Sequence, residues 1–383
     1  MLTRRTALLS GLALPALSRT GFAADPIRIG MTQPLTGAVA ASGNYVANGA
    51  KIAVDVLNRA GGVMGRPIEL VLEDNKSNPR EAVAAVEKLV LRDKVPALIG
   101  AWSSTFTLAI LPKLMEYKVP MVVETSSAAR ITTSGNPYVF RIAPTSEMEA
   151  IGFAELVGKY TPAIRKIDFL SVNNDFGRGA TEKYGAILGA KGIPTGRVET
   201  MTPEATDLSA QLTALKQSDG DTLFITTGVE QLTLAMRQAI EQRVGKRIVS
   251  TGGSFPDALI HQPLPGGAHS DHVLFYAPWF PEKAIHPEIA KTYTEEWNKH
   301  GWEFAGLTEG FRGYDAVLTV AEAVRIAGKV EPEAIREAMW KVQIPGVNGN
   351  IHFQKEGPAG RESGQNQPNV YIVRLADGKT SLV

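Results

Sequence analysis

Short apolar runs alternate with amphipathic stretches along almost the whole chain. Apolar runs of about four to eight residues between turn-forming residues are typical of buried strands. They predict strands at 27–31, 68–72, 95–99, 119–123, 166–172, 222–226, 247–250, 273–276, 351–353 and 369–375. Apolar residues spaced three and four apart predict helices at 44–60, 79–92, 146–160, 177–190, 230–242, 287–299, 308–327 and 332–341, with two more after Ser103 and Asp207. This alternation predicts an α/β fold with parallel sheets.

The pattern divides into two similar α/β units. One series of strand, polar turn and helix starts at residue 27, a second starts near residue 145, and no low-complexity linker separates them. In open α/β sheets, ligands bind beyond the carboxyl ends of the strands, where helix N-termini converge. We therefore expect several short crossings between the units and a ligand cleft between their strand ends.

The composition is that of a folded protein. The 383 residues allow about two domains, and their 44% hydrophobic content supports real cores. The formal net charge of +1 predicts no basic surface for nucleic acid. No interior segment reaches the roughly eighteen unbroken apolar residues that a membrane span needs.

The first residues have the pattern of an export signal. Two arginines precede a short apolar stretch at 7–17, and the letters GFA then offer a small-x-small cleavage site. We expect 1–23 to be a cleavable signal peptide, either of the general secretory type or of the twin-arginine type that the letters TRR resemble. Because the chain has no cysteine, it can form no disulfide and cannot be a lipoprotein. The predicted protein is a monomer in the bacterial periplasm.

Hydroxyl residues stand where a predicted strand turns into a predicted helix. Trp102, Ser103, Ser104 and Thr105 directly follow the run 95–99 and its glycine. The hydroxyls either cap the helix, which contributes about 1 kcal/mol, or hold an anion at its N-terminus, where the dipole and free N–H groups favour negative charge. The residues alone leave both roles open.

Several motifs, in order, resemble one known family. They are IGMTQPLTGAVAASG, GAKIAVDVLNRAGGVMGRPIELVLEDNKSNP, VPALIGAWSS, NNDFGRGA, FRGYDAVLTVAEA and GNIHFQKEG. Together they resemble the periplasmic leucine/isoleucine/valine-binding proteins of ABC importers, over about 27–373. The resemblance implies a type I periplasmic-binding fold, in which two Rossmann-like lobes joined by three crossings close on a ligand. It implies lobe 1 at 27–143 and 277–349, lobe 2 at 144–276 and 350–383, and crossings near 141–144, 274–278 and 348–351.

The resemblance also implies which lobe 1 residues hold the ligand. Ser104 matches the serine that binds the ligand carboxylate, and Ser103 and Thr105 are its neighbours. Thr125 and Ser127 match positions that offer a carbonyl, a hydroxyl and an N–H to the ligand head group. Polar loop filling is the alternative role for these last two residues.

Large or missing side chains mark other positions of the implied pocket. Trp102 falls where the family has an apolar pocket wall, with core packing as the alternative. Phe176 replaces a tyrosine of lobe 2, which keeps the stacking surface and removes a hydroxyl donor. Gly228 replaces a lobe 2 aromatic residue and, with Gly252, is expected to leave room for a bulky ligand. Phe255 either closes over the ligand or lies exposed in its loop.

These positions favour a carboxylate ligand without an α-amine. In the family, an acidic residue just after strand 247–250 meets the ligand ammonium, but this chain has TGGS there and its nearest acid is Asp257. Burying an unpaired ammonium is very costly. We therefore predict an aromatic or other bulky organic acid, with a branched-chain or other amino acid as the alternative. Glu124 and Glu309 are the lobe 1 acids that could meet an ammonium.

Catalytic and metal-binding patterns are weak. Ser103 and Ser104 lie in no G-x-S-x-G motif, and the six histidines form no triad or H-E-x-x-H pattern. His269 and His272 have a metal-like spacing but lie in a polar loop. We expect no enzyme, metal or cofactor, and a solute-binding protein that delivers its ligand to the membrane subunits of an ABC permease. A ligand-sensing receptor or regulator is the rival from another class, and a serine hydrolase would need a histidine base near Ser104.

Overall fold

The computed structural model describes residues 25–159, 163–251, 273–277, 283–376 and 379–382. In this part of the chain the helices are α1 (Ala40–Arg59), α2 (Pro79–Glu87, continued by a π-helical turn, Lys88–Arg92), α3 (Ser104–Tyr117), α4 (Arg130–Thr133), α5 (Ser146–Leu156), α6 (Asp175–Ala190), α7 (Ser209–Lys216), α8 (Val229–Glu241), α9 (Pro287–Lys299), α10 (Phe304–Ala327) and α11 (Pro332–Met339). The strands are β1 (Ile27–Gln33), β2 (Ile68–Asp74), β3 (Leu98–Ile99), β4 (Met121–Val123), β5 (Val139–Arg141), β6 (Ile167–Val172), β7 (Thr195–Met201), β8 (Thr222–Thr226), β9 (Arg247–Thr251), β10 (Val273–Ala277), β11 (Ile344–Gly346), β12 (Gly349–Ile351), β13 (Gln354–Glu356), β14 (Ser363–Gln365), β15 (Tyr371–Ala376) and β16 (Lys379–Leu382).

Two sheets form the centres of two lobes. Within the described ranges, the first sheet has the strand order β13-β14-β5-β4-β3-β1-β2 and the second has the order β16-β15-β10-β9-β8-β6-β7. The central strands are parallel, as in the pairs β1–β2, β1–β3, β6–β7 and β6–β8. The strands β13, β15 and β16 join antiparallel partners toward one edge of each sheet. The predicted α/β fold with two parallel-sheet lobes is confirmed.

The chain crosses between the sheets at places that differ in part from the prediction. It leaves β5 in the first sheet at Arg141 and re-enters the second through α5, so this crossing spans 142–145. The last crossing spans 366–370, between β14 in the first sheet and β15 in the second. The assignment of all of 350–383 to lobe 2, with a crossing at 348–351, is therefore wrong for β13 and β14.

Polar contacts explain why these late strands belong to the first sheet. β14 pairs in parallel with β5, and its Gln365 accepts a 2.6 Å hydrogen bond from Nε of the fully buried Arg141. The strands β13 and β14 read QKE and SGQ, so they carry no apolar pattern. The same holds for β7, which the apolar pattern also does not predict, because it is an edge strand with mostly exposed residues.

The two longest helices of the first lobe approach each other closely. A Cβ on Gly49 of α1 would lie 1.8 Å from the carbonyl oxygen of Gly310 in α10, and a Cβ on Gly313 would lie 2.0 Å from that of Val46. No side chain fits such a backbone contact, so glycine is required at both positions. This packing fixes α10, whose buried face carries residues that reach the interlobe cleft.

The second lobe holds a buried ion pair at the amino ends of its strands. Nζ of Lys246, just before β9, donates to Asp168 of β6 and to the hydroxyl and carbonyl oxygens of Ser218. Asp168 also accepts from the backbone N–H of Arg197 at 2.7 Å. Asp168 is fully buried and Lys246 is 7% exposed, so the pair joins β6, β7 and β9 inside the protein.

Among the described residues, no helix is both long enough and apolar enough to cross a membrane.

Candidate functional site

A cavity of about 310 Å³ lies between the lobes, at the carboxyl ends of β3, β4, β6 and β8. Both lobes contribute to its wall. From the first lobe come Val39, Ser77, Asn78, Pro79, Trp102, Ser103, Ser104, Thr105, Phe106, Thr125, Ser126, Ser127 and Arg312, and from the second Glu149, Val172, Asn173, Asn174, Phe176, Pro203, Glu204, Thr227, Gly228 and Gln231. This is the place where open α/β sheets bind ligands.

The structure brings together eight of the nine candidate ligand residues. Trp102, Ser103, Ser104, Thr105, Thr125, Ser127, Phe176 and Gly228 all line the cavity. The ninth, Phe255, lies outside the described residues, as do Gly252, Asp257, His269 and His272. Their predicted roles therefore remain predictions.

Ser104 does not cap α3 with its side chain. It is the first residue of the helix, Ser103 holds the N-cap position, and the helix has no side-chain capping hydrogen bond. The hydroxyl oxygen of Ser104 instead accepts from the backbone N–H of Ala128 at 3.2 Å. Because that bond uses only an acceptor, the O–H of Ser104 remains available as a donor at the helix N-terminus, where an anion is favoured.

Two threonine hydroxyls at the cavity have no hydrogen-bond partner among the described residues. They are Oγ1 of Thr125, after β4, and Oγ1 of Thr227, after β8. Buried hydroxyls are almost always hydrogen-bonded, so unpaired ones need a reason. Ser127 pairs with the hydroxyl of Ser146 at 3.0 Å. Hydroxyl-bearing residues of both lobes thus stand at the cavity, with the two unpaired threonine oxygens enclosed within its wall.

Trp102 forms an apolar wall whose orientation is fixed by polar contacts. Its backbone is in the left-handed region, with φ of 60°. The N–H of Trp102 donates to Glu124 at 3.1 Å, its carbonyl accepts from Ser126 at 2.9 Å, and its indole Nε1 donates to Glu309 at 2.6 Å. Positive φ is a strained conformation for a bulky residue, and it persists only where several surrounding contacts hold the residue in place.

Gly228 does not leave open space for the ligand, in contrast to the expectation from sequence. A Cβ at this position would lie 3.0 Å from Cη2 of Trp102 and 3.4 Å from its Cζ2. The edge of the indole ring therefore fills the place that a side chain here would take. Glycine at this position lets the Trp102 wall of lobe 1 close against the start of α8 in lobe 2.

The two lobe 1 acids that could meet an ammonium, Glu124 and Glu309, are not among the residues that line the cavity. Glu124 is fully buried and accepts from Trp102 and from Nε2 of Gln33 at 2.7 Å. Burial raises its pKa. Glu309 is 1% exposed and is held by the Trp102 indole and by an ion pair with Arg312 at 3.7 Å. Both acids position Trp102.

Two buried charged residues of the cavity are not among the candidates from sequence. Glu149 of α5 is 4% exposed, and Arg312 of α10 is 6% exposed. One lies on each lobe and both line the cavity. Arg312 could have been found from the sequence, because it is the one arginine in the largely apolar stretch FRGYDAVLTVAEA. An arginine that is buried in such a stretch needs a charged or polar partner.

Direct contacts hold the lobes together on both sides of the cavity. Thr105 of lobe 1 donates its hydroxyl to Asp175 of lobe 2 at 2.8 Å and accepts from the N–H of Asp175 at 3.2 Å. On the other side, Glu230 of α8 accepts from the N–H groups of Ala41 at 3.0 Å and Ser42 at 3.3 Å, in the first turn of α1. The Thr105 hydroxyl therefore serves lobe closure as well as lining the cavity.

Burial in this contact raises the pKa of Glu230 to about 7. The negative charge of Glu309 adds to the increase, and the N–H groups of Ala41 and Ser42 partly offset it.

In the described ranges, no cluster of three or more histidine or acidic side chains could hold a metal ion.

Comparisons with known proteins agree on one family. The sequence profile of a family described as periplasmic binding protein matches residues 26–380. The chain is 25% identical, over 358 residues and 92% of each protein, to a leucine-, isoleucine-, valine-, threonine- and alanine-binding protein of Pseudomonas aeruginosa. It is 32% identical to the Leu/Ile/Val-binding protein BraC3 of Rhizobium johnstonii over 219 residues, or 56% of this chain and 58% of that protein.

Solved structures give the same picture. The leucine binding protein LivK of Thermotoga maritima superposes with a TM-score of 0.80 at 26% identity, covering 93% of this chain and 97% of that one. A solute binding protein of an ABC transporter from Rhodopseudomonas palustris, in complex with 3,4-dihydroxy benzoic acid, superposes with a TM-score of 0.77 at 22% identity, covering 94% and 96%. The latter likeness shows the fold alone.

Proposed function

This chain belongs to the periplasmic binding protein family, and from that premise we propose that its cleft captures a small carboxylate with a flat or bulky apolar body. The chain is a solute-binding protein of the kind that serves ABC transporters for branched-chain amino acids or related ligands. Its finer specificity is the proposal. We favour an aromatic or other bulky organic acid that lacks an α-amine.

One observation carries this proposal: hydroxyl groups with unused hydrogen-bonding capacity meet flat apolar side chains at one cavity between the lobes. The O–H of Ser104 supplies a hydrogen bond for an anionic head group, and the unpaired hydroxyls of Thr125 and Thr227 belong to residues that line the same cavity. Trp102 and Phe176 supply the flat walls. Ligand pockets of this type are mostly apolar, with a few polar groups that fix orientation.

A second candidate, an amino-acid ligand, is favoured by Glu149. This acid comes from lobe 2, is 4% exposed and lines the cavity. Oε2 of Glu149 accepts from the hydroxyl of Thr251 at 3.3 Å, which holds the carboxylate near the end of β9. A buried carboxylate in the pocket could neutralise a ligand ammonium, which Glu124 and Glu309 are not placed to do.

A melting-temperature screen with matched ligand pairs separates the two candidates. Each pair differs by the α-amine alone: 3-phenylpropanoate with phenylalanine, and 4-methylpentanoate with leucine. Benzoate, cinnamate, isoleucine and valine complete the screen. A ligand at a hundred times its Kd adds about 2.7 kcal/mol, which corresponds to a shift of a few degrees.

We expect the acids without an amine to raise the melting temperature and their amino-acid partners to raise it less. If leucine, isoleucine or valine stabilises the protein while benzoate, cinnamate and the two deamino acids do not, the ligand is an amino acid. That outcome would replace the aromatic-acid proposal with the second candidate, an amino-acid ligand whose ammonium is neutralised by Glu149. It would leave membership of the solute-binding family unchanged.

The remaining features of the proposal follow from the family. Its members are exported solute-binding proteins, not enzymes, and they work with the membrane subunits of ABC permeases. For this chain we propose a monomer in the periplasm, exported by the segment 1–23, which lies outside the described residues. We propose no catalytic activity and no nucleic-acid partner.

A further inference from the structure

Arg312 is an almost buried cation whose hydrogen-bonding capacity is unused. Its side chain lies on α10, is 6% exposed and lines the ligand cavity. It also lines a second, smaller cavity of about 20 Å³ next to the crossings, together with Glu124 and Asp315. Among the described residues, its only polar contact is the ion pair with Glu309, at 3.7 Å from Nη1. At that distance the guanidinium makes no hydrogen bond.

A buried guanidinium without hydrogen bonds is costly. Arginine carries five N–H donors in a planar fork that matches a carboxylate, and removing a charge from water is unfavourable unless it is paired and hydrogen-bonded. Glu309 offers little further compensation, because its carboxylate already accepts from the Trp102 indole at 2.6 Å. The donors of Arg312 therefore need a partner that is not part of the protein chain described.

The acids around Arg312 do not supply that partner. Burial raises the pKa of Glu124, and it raises the pKa of Asp315 to about 7. Asp315 is also occupied, since its two oxygens accept from the backbone N–H groups of Val347 at 2.9 and 3.0 Å and of Asn348 at 3.5 Å. The charge of Arg312 is thus balanced inside the protein mainly by Glu309.

We propose that Arg312 binds an anionic oxygen of the ligand and is the residue that makes this cleft select acids over neutral analogues. The proposal rests on the proposed function and deepens it. Hydroxyls at the N-terminus of α3 hydrogen-bond an acid and its amide alike, because each offers a carbonyl-type acceptor, and the helix dipole adds only about 0.3–1 kcal/mol in favour of the acid. A full positive charge with free donors discriminates between them.

The test compares an acid with its amide in wild type and variants. The probes are 3-phenylpropanoate with 3-phenylpropanamide, and leucine with leucinamide, so that either ligand class is covered. The variant Arg312→Met keeps the length of the stem and removes the charge. Arg312→Lys keeps the charge and serves as a second variant if the Met variant folds poorly. Arg130→Met is the matched control, because Arg130 lies at the cleft edge with a largely exposed side chain, 3.7 Å from Asp175.

We expect Arg312→Met to lower the affinity for the acid roughly ten- to a hundredfold, the range for hydrogen bonds to charged groups, and to leave the amide affinity within a few-fold of wild type. Arg312→Lys should keep most of the preference for the acid, and Arg130→Met all of it. If wild type prefers the acid and Arg312→Met keeps the same ratio while its melting temperature falls, Arg312 is only an internal counter-charge and this inference is wrong. If wild type binds neither acid, the proposed function fails, and this inference fails with it.

Discussion

Ligand affinity should fall roughly tenfold to a hundredfold when the pH rises from 5 to 8, because Glu230 is buried between the lobes and we expect opening of the cleft to expose it. In the closed protein burial raises the pKa of this residue to about 7, whereas the carboxyl in water has a value of 4.5. The closed form therefore holds a proton that the open form releases. Stabilisation of the closed form is complete below pH 4.5 and is lost as the pH rises through 7. The two values correspond to about 3 kcal/mol over the full range.

The measurement is calorimetric titration of the tightest acid of the screen at pH 5, 6, 7 and 8. Glu230→Gln should give an affinity that is nearly constant across this range. Glu241→Gln, at the other end of the same helix, should keep the wild-type slope. Burial also raises the pKa of Asp315 to about 7. Its contacts lie within the first lobe, so its titration should change the melting temperature of every variant and should not change closure of the cleft. A wild-type affinity independent of pH, or a slope that survives in Glu230→Gln, would contradict the role of Glu230 in closure.

Lys246→Met should lower the free energy of unfolding by about 3–5 kcal/mol, the cost of leaving one member of a buried ion pair alone. Asp168 would lose its only cation among the described residues while remaining fully buried. Because the pair lies at the amino ends of the second sheet, opposite the cleft, ligand affinity should change little in the protein that remains folded. Urea unfolding at pH 7 measures the loss.

Lys166→Met provides the matched control. Lys166 pairs with Asp219 at 2.7 Å, but the two side chains are 31% and 79% exposed, so the loss should be below about 1 kcal/mol. The double variant Lys246→Met with Asp168→Asn should recover part of the stability, since no unpaired charge remains. A single Lys246→Met variant as stable as the Lys166→Met control would show that the buried pair does not hold the lobe.

The sequence predicts the features of the cleft that depend on the order of strands and turns along the chain. Ser104, Thr125 and Phe176 each follow the end of a predicted strand, and parallel strands bring all such ends to the same edge of a sheet. The structure places all three at one cavity. Their shared location is predictable because position along the chain and position in the fold are linked directly by the alternation of strand and helix, and their role in binding stays a prediction.

The parts that the sequence does not predict depend on contacts between distant segments. The indole of Trp102 meets Glu309, 207 residues away. Glu230 accepts from N–H groups in the first turn of α1, a helix that begins 190 residues earlier in the chain. The hydrophobic periodicity of the sequence gives no information about contacts between residues so far apart in the chain. The expectation that Gly228 leaves room for a ligand failed for this reason, since the ring that fills the space comes from the other lobe.

The central claim is that the cleft holds a carboxylate at the N-terminus of α3, and the most direct measurement is calorimetric titration of Ser104→Ala with the tightest acid of the screen. Loss of a hydrogen bond to a charged group costs about 1.5–3 kcal/mol, so we predict a ten- to hundredfold lower affinity. The melting temperature should fall only slightly, because the backbone N–H of Ala128 loses the Ser104 hydroxyl as its acceptor. Ser209→Ala, at the first position of α7 and outside the cavity, should bind as wild type does. Normal affinity of Ser104→Ala together with a melting temperature several degrees lower would contradict the account, because Ser104 would then serve only the fold.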